Sequence, residues 1–200
     1  MELLLPLIFL VAGFQVVKGR EQRRRIQLLG RYLHQYQIEK LMETLLEGYM
    51  RALGEKESER RGQIWSMLQT AEGELGEQVR RLANDFSKVW GEQALVSTLP
   101  VALPYADKLV PGATFDLRQA LSIHADGIEA VIRNEAARSD RDKAFTLTAE
   151  ILLMQHTCHW FCRSRTVASA RMLGRHKTHY AQLIEAVSPQ TREAYLRLVR

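Results

Sequence analysis

The stretch FTLTAEILLMQHTCHWFCR, residues 145–163, decides the fold. On a helix of about 100° per residue, both histidines share a face with apolar side chains: Phe145, Ala149, Leu152, His156, His159, Trp160 and Arg163. Both cysteines lie nearly opposite, again among apolar side chains: Leu147, Ile151, Cys158, Phe161 and Cys162. A helix that is apolar on almost every side is typical of the buried centre of a bundle. We therefore predict an all-α fold built around this helix.

The same stretch allows a metal site as an alternative. The ligands of a tetrahedral metal site must converge on one point. His159 and Cys162 point about 60° apart on the helix and are able to share an ion. His156 and Cys158 point about 160° apart and are unable to share one. The alternative is a metal or haem site that uses His159 and Cys162, with His156 or, from the preceding helix, His124 nearby. Buried cysteine usually acts as a small hydrophobe, so we predict bundle core and no cofactor, with thiol chemistry as a third possibility.

A second His-x-x-His pair, His176 and His179, follows Gly174. If one helix runs from about residue 140 to residue 173 and Gly174 ends it, His156 lies roughly 27 Å before that turn. The sequence therefore predicts that the two histidine pairs stay far apart and form no common site.

The rest of the chain shows helical spacing of apolar residues and no strand signal. Ser139, Ser188 and either Thr114 or Asp116 are predicted helix caps, and Pro189 fits the first turn of the last helix. The predicted helices are about 24–53, 58–95, 115–136, 140–173, 178–187 and a last one from Pro189.

One helix carries a near-heptad seam. Its apolar positions are spaced three and four apart: Ile64, Leu68, Ala71, Leu75, Val79, Leu82, Phe86 and Val89. The seam predicts an intramolecular hairpin that turns at LGEKES (53–58) or, alternatively, a coiled-coil dimer. The predicted organisation is an anchor over 1–18, a long helical hairpin over 19–97, a proline-rich elbow over 98–114 and a helical bundle over 115–200.

The N-terminal run LLLPLIFLVAGFQVV (3–17) is uncharged. As a helix it spans roughly 22 Å, which is short of a bilayer core of about 30 Å. Basic residues follow it and are predicted to lie at the membrane surface: Lys18, Arg20, Arg23, Arg24 and Arg25. The positive-inside rule predicts a single-pass anchor with the N-terminus outside and the body in the cytoplasm, at the inner membrane in a bacterium. Alternatives are a cleaved signal ending at Ala12 and Gly13, a buried helix and a surface-lying helix.

The C-terminal part is basic, and Arg171, Arg175 and Lys177 are a predicted partner surface. A solvated face is the simplest interpretation of these charges; an acidic protein, a membrane or nucleic acid are the alternatives. No Walker loop, Gly-x-Ser-x-Gly elbow, Cys-x-x-Cys or His-Glu-x-x-His motif is present, so no motif gives a reason to propose an enzyme.

We therefore expect a membrane-anchored interaction or scaffold module, whose partners are the bilayer and either another protein or a second copy. A metal- or haem-binding sensor or enzyme is the first alternative, and a nucleic-acid-binding protein is the second.

Overall fold

The structure, a computed structural model, describes residues 4–200, with side chains from residue 8 onward. This part of the chain is mostly helical, as predicted. Ten α-helices, one 3-10 helix and two short strands follow one another in this order: α1 Leu4–Leu33, α2 Ile38–Gly54, α3 Ser58–Phe86, α4 Gly91–Ala94, β1 Leu95–Ser97, α5 Ala106–Leu109, the 3-10 helix Pro111–Ala113, β2 Thr114–Asp116, α6 Leu117–Arg133, α7 Asp140–Cys162, α8 Arg165–His176, α9 Tyr180–Ala186 and α10 Pro189–Val199.

Helix α7 is the centre of the molecule, which confirms the prediction from its sequence. It packs against α1, α2, α6, α8 and α9, and its buried residues lie on all sides: Ala144, Leu147, Ala149, Glu150, Ile151, Leu152, Leu153, Met154, His156, Thr157, Trp160 and Phe161. Ser139 caps the helix by accepting a hydrogen bond from the backbone N–H of Asp142. One hydrophobic cluster extends from Leu29 of α1 to Ala168 of α8, so the predicted hairpin and bundle share it.

Helices α2 and α3 form a hairpin with the predicted turn, but α3 ends at Phe86 and not at residue 95 as predicted. Gly54 ends α2, and α3 begins at Ser58. The seam of α3 is buried between α2 and α6, with Leu75, Val79 and Leu82 fully enclosed. The apolar seam is therefore an intramolecular contact and leaves no free coiled-coil face.

The predicted continuous helix over 24–53 is wrong, because the chain turns between α1 and α2. At this turn Tyr36 donates a hydrogen bond to Asp85 at 2.6 Å. The backbone N–H of Gln37 donates to the side chain of Gln78 at 2.7 Å. Both acceptors lie on α3. No glycine or proline marks the turn; packing of α2 against α3 outweighs the local preference for a longer helix.

The predicted helix over 140–173 is also wrong, since α7 ends at Cys162. Ser164 adopts an extended backbone and caps α8 by accepting from the N–H of Val167 at 3.3 Å. Helix α8 then passes through Gly174 and ends before Lys177, which takes the left-handed conformation at φ 54°. The chain thus folds back about three helical turns earlier than predicted.

A two-stranded antiparallel sheet, which the sequence did not predict, joins the two ends of the elbow. Val96 of β1 pairs with Phe115 of β2. Each strand has only three residues, too few for a recognisable alternating pattern. Trp160 of α7 fastens the sheet to the core by donating to the carbonyl oxygen of Ser97 at 2.9 Å and by packing edge-on against Phe115.

Helix α1 has two different halves. Its second half packs against α3 and α7, where Leu29 is buried. Its first half exposes large apolar side chains: Ile8, Phe9, Leu10, Val11, Phe14 and Val16. Residues 1–3 of the predicted anchor lie outside the described residues. Over residues 4–200, no helix combines the length and the apolar character needed to cross a membrane.

Candidate functional site

A groove of about 830 Å³, which we name the charged cleft, lies between α2 and α8. Helix α2 forms its acidic wall, which carries three glutamates and one lysine, Lys40, and Arg171 and Arg175 of α8 form its basic wall. The acidic side chains are spaced one helical turn apart: Glu39, Glu43 and Glu47. Leu46 supplies half-buried apolar surface, and Met42 and Met172 lie buried beneath it. The cleft exists because α8 folds back along α7 and comes to face α2.

The two walls are not neutralised by ion pairs. Among the side chains that the structure describes, no opposite charge lies within 4 Å of Glu39, Glu43, Glu47, Arg171 or Arg175. Like charges four residues apart on a helix repel each other by a few tenths of a kcal/mol (about 0.2–0.5). The charges of the facing wall and of Lys40 offset part of this repulsion. Because the glutamates and arginines are not held in ion pairs, they are available to a ligand of opposite charge.

Two histidines and a glutamine lie deeper in the charged cleft. His176 Nε2 is 3.1 Å from Gln155 Oε1. Partial burial lowers the pKa of His159 and of His176 below the ordinary value, and the neighbouring guanidinium of Arg175 acts in the same direction. Both rings are thus neutral at pH 7 and offer one donor and one acceptor each. The prediction that the two histidine pairs stay apart is wrong for His159 and His176.

Next to the charged cleft is a smaller cavity of about 300 Å³, which we name the apolar chamber. It lies between α1, α2 and α7, and both cysteines of the chain line it. Burial raises the pKa of Cys158 to about 12 and that of Cys162 to about 11. Both thiols are therefore protonated at neutral pH and behave as apolar surface, not as nucleophiles.

The remaining predicted ligands, His124 and His156, lie in the core. His124 Nε2 is 2.9 Å from Thr157 Oγ1, and this oxygen is 3.0 Å from the hydroxyl of Tyr195. His156 Nε2 is 3.0 Å from Ser169 Oγ, and its ring stacks on Tyr180. Within residues 4–200, no three histidine, cysteine, aspartate or glutamate side chains converge to hold a metal ion. Of the predicted set, His159 and Cys162 share the apolar chamber.

The predicted membrane-surface residues differ in their surroundings. Arg20, Arg23 and Arg24 are exposed. Lys18 lines a cavity with Arg163 and Arg171. The guanidinium of Arg25 pairs with Glu21 at 2.7 Å and lies 5.5 Å from the Phe161 ring centre, so it fixes α1 to α7. In the predicted partner surface, Lys177 lies beyond α8 and outside the charged cleft.

Comparisons with protein-family models, with curated proteins and with solved structures found no match. The site is therefore defined by its own geometry. Sequence reasoning missed Gln155 and the acidic wall, and it placed His176 far from His159. The acidic row was visible as glutamates four apart, but only the position of α8 shows what these glutamates face.

Proposed function

We propose that this protein is a membrane-attached helical interaction module. The first half of α1 holds it at a bilayer, and the charged cleft binds a helical segment of a protein partner. The observation that carries the proposal is the pair of oppositely charged walls that face each other without ion pairs.

Exposed apolar surface supports the membrane attachment. The exposed fraction of Phe9 is 73% and that of Leu10 is 69%, and large contiguous patches of this kind are rare on soluble monomers. Arg20, Arg23 and Arg24 follow within about three turns, where they suit an anionic lipid surface. In a single-pass arrangement the positive-inside rule places the body in the cytoplasm; in a surface-lying arrangement the same apolar face enters the lipid.

Charge complementarity supports a protein partner. The row from Glu39 to Glu47 is about 12 Å long and matches roughly two turns of a helix. A fitting segment presents basic side chains to α2, acidic side chains to α8 and an apolar side chain to Leu46. A nucleic acid carries only negative charge and meets repulsion from the acidic wall, so a protein segment fits better.

Vesicle flotation tests the membrane half of the proposal. The full-length protein is expected to float with vesicles that contain anionic lipid, and the variant Phe9→Asp/Leu10→Asp to remain at the bottom. The matched control is Met50→Asp/Met67→Asp, which places the same charges on exposed side chains of the body and is expected to float. Equal flotation of both variants contradicts attachment through α1.

Site-specific photo-crosslinking tests the charged cleft. A photoreactive amino acid in place of Glu43 is expected to capture one membrane-associated protein, whereas the same probe at exposed Gln69 of α3 is not. Arg171→Glu/Arg175→Glu is expected to reduce the product at least tenfold. Arg192→Glu/Arg200→Glu changes the net charge equally at exposed sites outside the charged cleft and leaves the yield unchanged. Equal yields of crosslinked product from positions 43 and 69 show that the charged cleft does not bind a partner.

A further inference from the structure

We propose that the apolar chamber binds the acyl chain of an anionic amphiphile, whose acidic head group is held by Arg171 and Arg163. The site needs no protein partner, and it shares Arg171 with the basic wall of the charged cleft. It draws on the membrane only as the source of the ligand.

The walls of the apolar chamber suit a hydrocarbon chain. Apolar and neutral thiol side chains from three helices line it: Ile26, Leu29, Leu33, Ile38, Met42, Met154, Cys158 and Cys162. The volume of about 300 Å³ lies at the lower end of the range for small-ligand sites. Methionine side chains are flexible and adapt to ligands of irregular shape.

The charges at the mouth favour an acidic head group. Arg163 and Arg171 oppose a single carboxylate, that of Glu39, and His159 is neutral. Arg163 donates a hydrogen bond to Gln22 at 2.6 Å. Arg171 has no acidic side chain within 4 Å among the described residues, so its guanidinium is the group available to a carboxylate or phosphate by paired hydrogen bonds.

A basic path joins the apolar chamber to the lipid-facing half of α1. Arg163 and Arg171 also line a second cavity of about 500 Å³, together with Gln15, Lys18 and Gly19 of α1. Gln15 lies within the exposed apolar half of α1, between Phe14 and Val16. An amphiphile that leaves a membrane along α1 therefore meets Lys18, then Arg163, then Arg171 at the mouth of the apolar chamber.

Photo-labelling of the full-length protein in phosphatidylcholine nanodiscs tests the proposal. The probe is stearic acid with a diazirine near the middle of its chain, and adducts are mapped by mass spectrometry. Adducts are expected on the two lining segments 26–33 and 154–162. Oleic acid is expected to compete, and oleyl alcohol, which has the same chain without the acid, is expected to compete at least tenfold more weakly.

Arginine variants separate the apolar chamber from the bilayer. Arg171→Ala is expected to reduce adducts on 154–162 at least fivefold. Arg192→Ala, at an exposed site of α10 that lines neither the charged cleft nor the apolar chamber, leaves them unchanged. Adducts confined to residues 8–17 overturn the proposal, since they report only lipid around α1. Equal competition by oleyl alcohol also overturns it, because the acid then plays no part. If residues 154–162 are labelled but the protein does not float with vesicles, the result supports ligand binding in the apolar chamber and contradicts membrane attachment through α1.

Discussion

Gly127 marks the closest approach of helices in the core. A Cβ atom at this position would overlap Thr191 Oγ1 of α10 and lie 2.7 Å from Glu150 Oε2 of α7. Both neighbours are buried and held in place: the backbone N–H of Ser188 donates to Glu150 Oε1 at 3.0 Å, and the Ser188 hydroxyl donates to Thr191 Oγ1 at 2.9 Å. Helices α6, α7 and α10 therefore meet at a point where no side chain fits.

We expect Gly127→Ala to lower the free energy of unfolding by about 1–3 kcal/mol, because the core must shift to admit the methyl group. The matched control is Gly73→Ala in α3, where nothing lies within 4 Å of the added Cβ; it is expected to raise stability by about 0.5–1 kcal/mol. Urea unfolding measures both. Equal effects of the two variants contradict the close approach at Gly127.

The buried histidines predict acid sensitivity. Burial lowers the pKa of His124 to about 3 and that of His156 to about 4, from 6.5. As the pH falls, the unfolded chain binds a proton at each of these two rings before the folded protein does. The contribution of the two neutral rings to stability is therefore complete above pH 6.5 and is lost as the pH falls. Each ring contributes a slope of about 1.4 kcal/mol per pH unit between 6.5 and its folded pKa.

Unfolding measured from pH 7 to pH 4.5 checks this slope. Burial raises the pKa of Glu150 above 4.5, so this group stabilises the folded protein as the pH falls and opposes the effect of the histidines. The decisive quantity is therefore the difference in pH slope between a variant and the unaltered protein. His124→Gln is expected to flatten the slope by about one histidine equivalent, whereas His34→Gln, at an exposed site, leaves it unchanged. A slope that His124→Gln does not alter shows that this ring does not titrate on unfolding.

At the scale of elements, sequence reasoning identified most helices but not where the long ones break. Capping serines and the seam of α3 are local signals, and Ser139, Ser188 and the turn after Gly54 were predicted correctly. The break at residues 34–37 depends on hydrogen bonds to α3, far away in the chain. Ser164, whose side chain caps α8, was not predicted as a cap, and the helix was predicted to end at Gly174, ten residues later. Because the helix was predicted to continue to residue 173, the sequence did not show that α8 lies opposite α2, and the charged cleft was not predicted.

Gly174 gives a direct test of this revised boundary. In α8 it is a helical residue with nothing within 4 Å of an added Cβ. Gly174→Ala is therefore expected to raise stability by about 0.5–1 kcal/mol, while Ser164→Ala, which removes the cap, is expected to lower it by about 1 kcal/mol. Thermal or urea unfolding distinguishes the alternatives: destabilisation by Gly174→Ala places the end of the helix at the glycine.

At the scale of the whole molecule, one buried polar group ties three helices together. Glu72 of α3 is buried; it accepts a hydrogen bond from Tyr49 of α2 at 2.7 Å and pairs with Lys143 of α7. The hairpin and the bundle are thus joined by charge as well as by the shared hydrophobic cluster. A buried carboxylate needs both partners, because its desolvation is compensated only by them.

We expect Lys143→Met to lower the free energy of unfolding by about 3 kcal/mol, because it leaves the Glu72 carboxylate unpaired. The double variant Lys143→Met/Glu72→Gln is expected to recover more than half of this loss, since no buried charge remains. Arg81→Met, which breaks an exposed pair with Glu77, is the control and should change little. If the double variant is no more stable than Lys143→Met alone, the two side chains do not interact.

The uninterrupted course of α1 has a mechanical consequence. The helix has 30 residues and a length of about 45 Å, and Arg25 and Leu29 fix its second half to the body. A stiff rod of this kind transmits torque: a tilt or rotation of the first half turns the whole body with it. The direction in which the charged cleft opens is therefore set by how residues 8–17 are seated, and a flexible linker inserted after Val17 should abolish that fixed orientation.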